Sequence, residues 1–147
     1  MQKKIIEAMS QSDFYPDRPK TVELIKTHIS LVFIAGDFVY KVKKPVSFGF
    51  LDFSTLAKRK FYCEEELRLN RRLAADFYLD VAAIYEDSEG NLTLTPNHHI
   101  VEYSVLMKKL PEDRMLKSLL AEGRAPDRMF EDLGKKIADF HLSLIHI

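Results

Sequence analysis

The residues best suited to chemistry are a lysine in mid-strand and a run of glutamates on the helix that follows it. In Phe38-Val39-Tyr40-Lys41-Val42-Lys43-Lys44, the alternation of a strand puts Val39, Lys41 and Lys43 on one face and Phe38, Tyr40 and Val42 on the other. A mid-strand lysine two residues from a small apolar neighbour can reach the phosphates of a nucleotide whose base packs on that neighbour. Its ammonium needs a carboxylate to hold it, and a helix after the strand is the natural supplier. The candidates are Glu64-Glu65-Glu66. Glu66 shares a helical face with Cys63, Asn70 and Leu73, whereas Glu64 sits four residues from both Lys60 and Arg68, the spacing of a surface ion pair. The spacing favours Glu66 and leaves Glu64 and Glu65 open. Both features also have a purely structural reading. Lys-x-Lys-Lys suits an edge strand protected against unwanted pairing, and a glutamate run suits a solvated helix face.

Other chemistries find little support. Cys63 is the single cysteine, so no internal disulfide can form, and no Cys/His grouping has zinc-ligand spacing. His98-His99 fall in a predicted turn, and no G-x-x-x-x-G-K-[ST] phosphate loop occurs.

The elements that must position Lys41 and Glu66 follow from periodicity. Lys3 to Met9 predicts a short helix, broken by the two prolines of Asp13 to Pro19. Period two then takes over: a strand near Val22–Ile25, a second at His28–Ile34, a turn at Gly36-Asp37, and a third strand at Phe38–Lys44 ended by Pro45. Ser47 to Phe53 is an aromatic loop expected to fold over apolar surface. Asp52 or Ser54 is expected to cap a long helix from Thr55 to Ala74. Its inner face is read as Leu56, Cys63, Leu67, Asn70 and Leu73-Ala74, with Lys58, Arg59, Lys60, Glu64, Arg68, Arg71 and Arg72 outside. Strands follow at Val81–Tyr85, Leu92–Leu94 and Ile100–Met107. Beyond Pro111 only helices are predicted: Met115–Glu122, stopped by Gly123, and one from an Asp127 cap through His141. This segregation gives an α+β fold, a sheet with one long packed helix and then a helical region.

Composition narrows the classes further. Among 147 residues, Lys plus Arg and Asp plus Glu number 22 each, so no global charge draws the chain to nucleic acid or an anionic membrane. No run of 18 apolar residues occurs, and the N-terminus lacks the apolar stretch of a signal peptide. With one cysteine, these features predict a cytoplasmic setting.

Two stretches, Thr27 through Thr55 and Cys63 through Leu79, carry a resemblance. The chain, from about Tyr15 to His141, resembles the N-terminal part of bacterial aminoglycoside phosphotransferase-like proteins, in many of which that part is fused to a P-loop kinase-like domain. The resemblance implies a protein-kinase-like N-lobe over residues 1–110, followed by a truncated helical lobe over 111–147. It implies ATP as cofactor, with Lys41 as the phosphate-anchoring lysine, Glu66 as its partner and Val39 against the adenine. Val105 to Leu110 resembles the strand leading to the interlobe hinge, so Met107 and main-chain groups of Lys108 and Leu110 would meet the adenine. Thr27, His28 and Ser30 would cover the phosphates, without a G-x-G-x-x-G. His141 would be a packed residue of the helix before the catalytic loop. The family's H-G-D-x-H-x-x-N-like motif and its Mg²⁺-holding Asp are absent, so catalytic residues and metal ligands are expected elsewhere. The closing Leu142 to Ile147 departs from the family pattern.

The reading expected is therefore the nucleotide-binding part of an ATP-dependent phosphotransferase acting on a hydroxyl-bearing small molecule, inactive by itself. Two alternatives stand beside it. One is a nucleic-acid-binding module in which Lys41, Lys43, Lys44, Arg68, Arg71 and Arg72 form a basic patch with Phe48, Phe50 and Phe53 as stacking groups. The other is a non-catalytic, regulatory kinase-like lobe.

Overall fold

Alternating apolar residues in the first half of the chain assemble an antiparallel sheet in the computed structural model, which describes residues 1–145. Its strands are β1 (Val22–Lys26), β2 (Ser30–Ala35), β3 (Phe38–Lys43), β6 (Tyr78–Glu86), β7 (Leu92–Thr93) and β8 (His99–Lys108). They lie in the order β1-β2-β3-β8-β6-β7. The short β4 (Ser47–Phe48) and β5 (Leu51–Asp52) form a separate ribbon. The chain divides into two units, Met1–Lys109 and Leu110–Ile147. The class is α+β, with the sheet and its helices in the first unit and helices alone in the second.

One face of the sheet carries Leu31, Phe33, Tyr40, Val42 and Ile84, all buried. Helix α1 (Gln2–Met9) closes it with Ile5 and Met9. The Tyr15 hydroxyl donates to the Met9 carbonyl at 2.6 Å, and its ring lies 5.0 Å from that of Tyr40. Gly36, at φ +60, makes the β2–β3 turn, and a Cβ there would stand 3.2 Å from the Pro19 Cβ.

Helix α2 (Leu56–Ala74) packs the opposite side of β8 and β6. Its cap is Thr55, whose Oγ1 accepts from the Lys58 amide at 3.2 Å, and not the expected Asp52 or Ser54. Thr55 alone sits in extended backbone directly before the first helical turn. Asp52 instead accepts from the Ser54 amide at 2.9 Å and pairs with Lys58.

Four readings of α2 and its approach need correction. Arg59, expected outside, is buried. Asn70 and Leu73, expected inside, are exposed, and Asn70 turns its amide back onto the Glu66 carbonyl at 2.8 Å. Arg68 pairs with Glu65, not Glu64. Of the aromatic loop only Phe53 turns inward, its ring 5.1 Å from Tyr62. Phe50 occupies the two-residue turn of the β4–β5 ribbon, where no neighbouring strand can cover it, and is 90% exposed. Its ring stacks on that of Phe48, at 6.3 Å.

Arg59 pins α2 to the sheet. Its Nε donates to both carboxylate oxygens of Glu102 at 2.9 Å, and its Nη1 donates to the Phe53 carbonyl at 2.9 Å. A bulge makes this possible. Ile84 pairs with Glu102 but Tyr85 pairs with Ile100, so Val101 is the extra residue. The interrupted alternation lets two consecutive residues find partners on α2, Glu102 with Arg59 and Tyr103 with Lys60, whose ammonium lies 5.6 Å from the Tyr103 ring centre.

The second unit contains a 3₁₀ turn at Glu112–Arg114, α3 (Leu116–Ala121) and α4 (Asp127–Ile145). Gly123, at φ +65, ends α3 as expected. The Arg124 amide reaches the Leu119 carbonyl at 2.8 Å and the Gly123 amide reaches Leu120 at 3.2 Å, the paired bonds of a Schellman ending. Asp127 is the first residue of α4 rather than its cap, and the helix continues past His141. His99, expected in a turn, opens β8. Of the closing segment, His146 and Ile147 lie outside the described residues.

Replacing Arg59 by Met leaves the Glu102 carboxylate buried without its counter-ion. That should lower the unfolding free energy in urea by about 3–5 kcal/mol. A loss below 1 kcal/mol would show that the pair does not hold α2.

Candidate functional site

Strand parity and register bring Val39, Lys41 and Lys43 to the face of the sheet on which α2 lies. Val39 pairs laterally with Ile34 on β2 and Met107 on β8, and Met107 with Tyr78 on β6, so these four make one row across the sheet. The adjacent row is Val32, Lys41, Val105 and Val81. The strand is interior, with β2 on one side and β8 on the other. Its lysines therefore do not guard an edge, and that structural reading is set aside.

Glu66 descends from α2 between two ammonium groups. Lys41 Nζ donates to Glu66 Oε1 at 2.8 Å, and Lys43 Nζ donates to Glu66 Oε2 at 2.6 Å. Of the three glutamates left open, Glu66 is the partner. Glu65 accepts from Arg68 at 2.8 and 2.9 Å, and Glu64 lies 3.7 Å from Lys60. Burial works to raise the Glu66 carboxyl above its ordinary range, but the bonds from Lys41 and Lys43 outweigh it and hold the group below that range. The two lysines differ in access. The Lys43 side chain is 6% exposed and its ammonium stands 4.9 Å from the Phe53 ring centre, whereas Lys41 is 31% exposed. Cys63, one turn before Glu66, is fully enclosed, and burial pushes its thiol up to about 12. A thiol so protonated is a packing group rather than a nucleophile.

Two ammonium groups on one carboxylate leave one positive charge in excess. The nearby Arg59–Glu102 pair cancels itself. The site is thus a half-open cation beside an apolar strip, Val39 and Met107, and it can attract an anion.

The remaining predicted residues are placed differently. Ser30 is 1% exposed and its hydroxyl finds no partner, so it cannot meet a phosphate in this arrangement. The turn before it is closed by Thr27, whose Oγ1 accepts from the Ser30 amide at 2.9 Å. The Lys108 amide donates to the Phe77 carbonyl at 2.9 Å and is not available to an adenine edge. Leu110 is exposed and opens the second unit. Most cations of the basic patch are engaged within the fold. Lys41 and Lys43 hold Glu66, Lys44 donates to the Thr27 carbonyl, Arg68 holds Glu65, and Arg71 donates to the carbonyls of Tyr78 and Leu79. Phe53, its third aromatic, is buried. A groove of about 480 Å³ lined by Lys60, Leu67, Arg68, Arg71 and Tyr103 among others contains none of Lys41, Lys43 and Glu66.

The sequence did not identify Lys43 as a partner of Glu66, placed Arg59 outside, and gave Glu102 no role. A signal existed for each. Lys43 shares the parity of Lys41, Arg59 stands four residues before Cys63 and seven before Glu66, and Glu102 interrupts an apolar strand.

Comparison with known proteins leaves the site unassigned. No family profile matches the chain, and no solved structure matches it. Uncharacterized proteins of Mycobacterium bovis and of two strains of Mycobacterium tuberculosis are 32% identical over 120 residues. The match covers 82% of this chain and 22% of each relative, so the chain spans about a fifth of their length. No helix among the described residues is long and apolar enough to cross a membrane.

The depressed Glu66 carboxyl fixes a pH dependence. A group held below its ordinary value of 4.5 stabilises the fold above that pH and loses the contribution as pH falls through its folded value. Carboxyl-carbon NMR should therefore show Glu66 titrating below 4.5, with urea stability declining over the same acid range. Titration of Glu66 above 4.5 contradicts the double pairing.

Proposed function

We propose that this chain is the nucleotide-clasping lobe of a kinase-like, ATP-dependent phosphotransferase whose acceptor is a hydroxyl-bearing small molecule. The observation that carries the reading is the 2.8 Å bond between Lys41, in mid-strand on β3, and Glu66, on the helix packed over the sheet. Phosphoryl transfer asks little covalent chemistry of a protein and much positioning. In protein kinases a third-strand lysine held by a helix glutamate is one of the parts that must be in place.

In this reading Lys41 meets phosphate oxygens and Glu66 fixes the ammonium in direction. Val39 and Met107 offer the apolar surface on which the base lies, two residues along the strand from the charge. The bound ATP supplies the transferable phosphoryl group. Ser30 has no contact with it, and neither does the Lys108 amide. Among the described residues no group of three His, Cys, Asp or Glu could hold a metal ion. With the family's H-G-D-x-H-x-x-N-like motif missing from the sequence, the reading assigns no Mg²⁺ ligand and no acceptor-activating base to this chain, and it expects no turnover from it alone.

The nucleic-acid reading is not favoured, because Lys41 and Lys43 are both turned onto Glu66, Lys44, Arg68 and Arg71 are each engaged elsewhere, and one of its aromatics is inside the fold. NMR titration with ATP separates the two. ATP should shift amides on β3 and near Met107, and Lys41→Met should weaken binding by about tenfold or more, the loss of a charged hydrogen bond. Arg68→Ala, which removes an exposed pair, should leave ATP binding as it was. Unchanged ATP binding in the Lys41 variant, or binding of single-stranded DNA that falls with Arg68→Ala, reverses the assignment.

A further inference from the structure

The carboxylate of Glu66 poses a difficulty for a phosphate site. A lysine paired with one carboxylate is a neutral unit, and the carboxylate repels the anion that the lysine is meant to attract. Lys43 removes the difficulty. It approaches the second oxygen of Glu66, at 2.6 Å, while Lys41 holds the first.

We propose that Lys43 is a positioning residue that neutralises and anchors Glu66 from inside the fold, so that Lys41 presents an uncancelled positive charge to an anionic ligand. The inference deepens the nucleotide reading and rests on it. Three observations support it. Lys43 is nearly closed off from solvent and Lys41 is not, so a ligand can reach only the second. Lys43 has a fixed place: its ammonium lies over the Phe53 ring, and its strand position faces the enclosed Ser30. A cation this deep cannot be left without its carboxylate, since an unpaired buried charge is costly. Glu66 is therefore held whether or not Lys41 turns toward a ligand. When Lys41 shares its ammonium between Glu66 and a phosphate, the carboxylate is still compensated by Lys43. Lys43 touches no ligand and acts through Glu66.

The test uses the full chain, ATP as the ligand, and four variants read by NMR titration, with urea unfolding as the check on folding. Lys43→Met keeps the Lys41–Glu66 pair but removes the excess charge. It should weaken ATP binding by about tenfold, the effect of one unit charge several ångströms away at the screening of a protein surface. Lys43→Arg restores the charge and should bind ATP nearly as the unaltered chain does. The double variant Lys43→Met/Glu66→Gln again leaves Lys41 as a lone positive charge, while the replacement's amide oxygen can still accept the Lys41 bond that directs it, and it should recover part of the lost affinity. A purely structural role for Lys43 predicts the reverse, a double variant no better than Lys43→Met. Should Lys43→Met fail to unfold cooperatively, the double variant, which leaves no buried charge unpaired, carries the comparison. ATP binding within a factor of about two of the unaltered chain's in Lys43→Met, or a double variant no better than the single, overturns the inference. If Lys41→Met still weakens binding in the same series, the nucleotide reading survives that failure. An unaltered chain that does not bind ATP removes both.

Discussion

A carboxylate shared between two lysines is the constraint around which this unit is organised. Glu66 belongs to a helix and Lys41 and Lys43 to a strand, so the bonds between them fix the helix against the sheet in both rotation and translation. A rotation of one residue position, about 100°, would carry the carboxylate off both ammonium groups and expose Cys63. Charged pairs of this kind gain little net stability over apolar packing, because desolvation offsets attraction. Their effect is on register. Few arrangements of α2 satisfy Glu66, Lys43, Arg59 and Glu102 together.

The two faces of the sheet divide the work. The face under α1 is apolar, built from Leu31, Phe33, Tyr40 and Val42 with Tyr15 as a plug, and it supplies the burial that folds the chain. The face under α2 holds charges, and its stability depends on their being paired. A bulge at Val101 is what joins the second face together, because it sends Glu102 toward the helix against the parity of its strand. The structure thus places costly groups only where the apolar face has already fixed the backbone on which they stand.

Much of this was legible in the residues. Alternation in Phe38 to Lys44 set which side chains share the face of Lys41, and helical spacing favoured Glu66 while leaving Glu64 and Glu65 open. Both are local periodicities, and short sequences encode them well. Arg59 was misplaced because its charge argued for the surface, although its spacing from Cys63 and Glu66 put it on the inner stripe. Ser30 was expected near the phosphates only through the resemblance, and its burial depends on β3 and cannot be read from β2 alone. The bulge at Val101 is a property of two strands in register, so neither strand announces it. Phe50 was expected under cover since large aromatics usually are, and a two-residue turn left it nowhere to go.

The enclosed sulfur of Cys63 gives the molecule an internal reporter. It is the sole thiol of the chain, it is sealed where helix and sheet meet, and its proton is held tightly. An alkylating reagent can label it only after that seam parts, so the rate of modification counts how often α2 lifts away. The same sulfur that contributes nothing to reactivity makes the breathing of this seam measurable without altering a single residue.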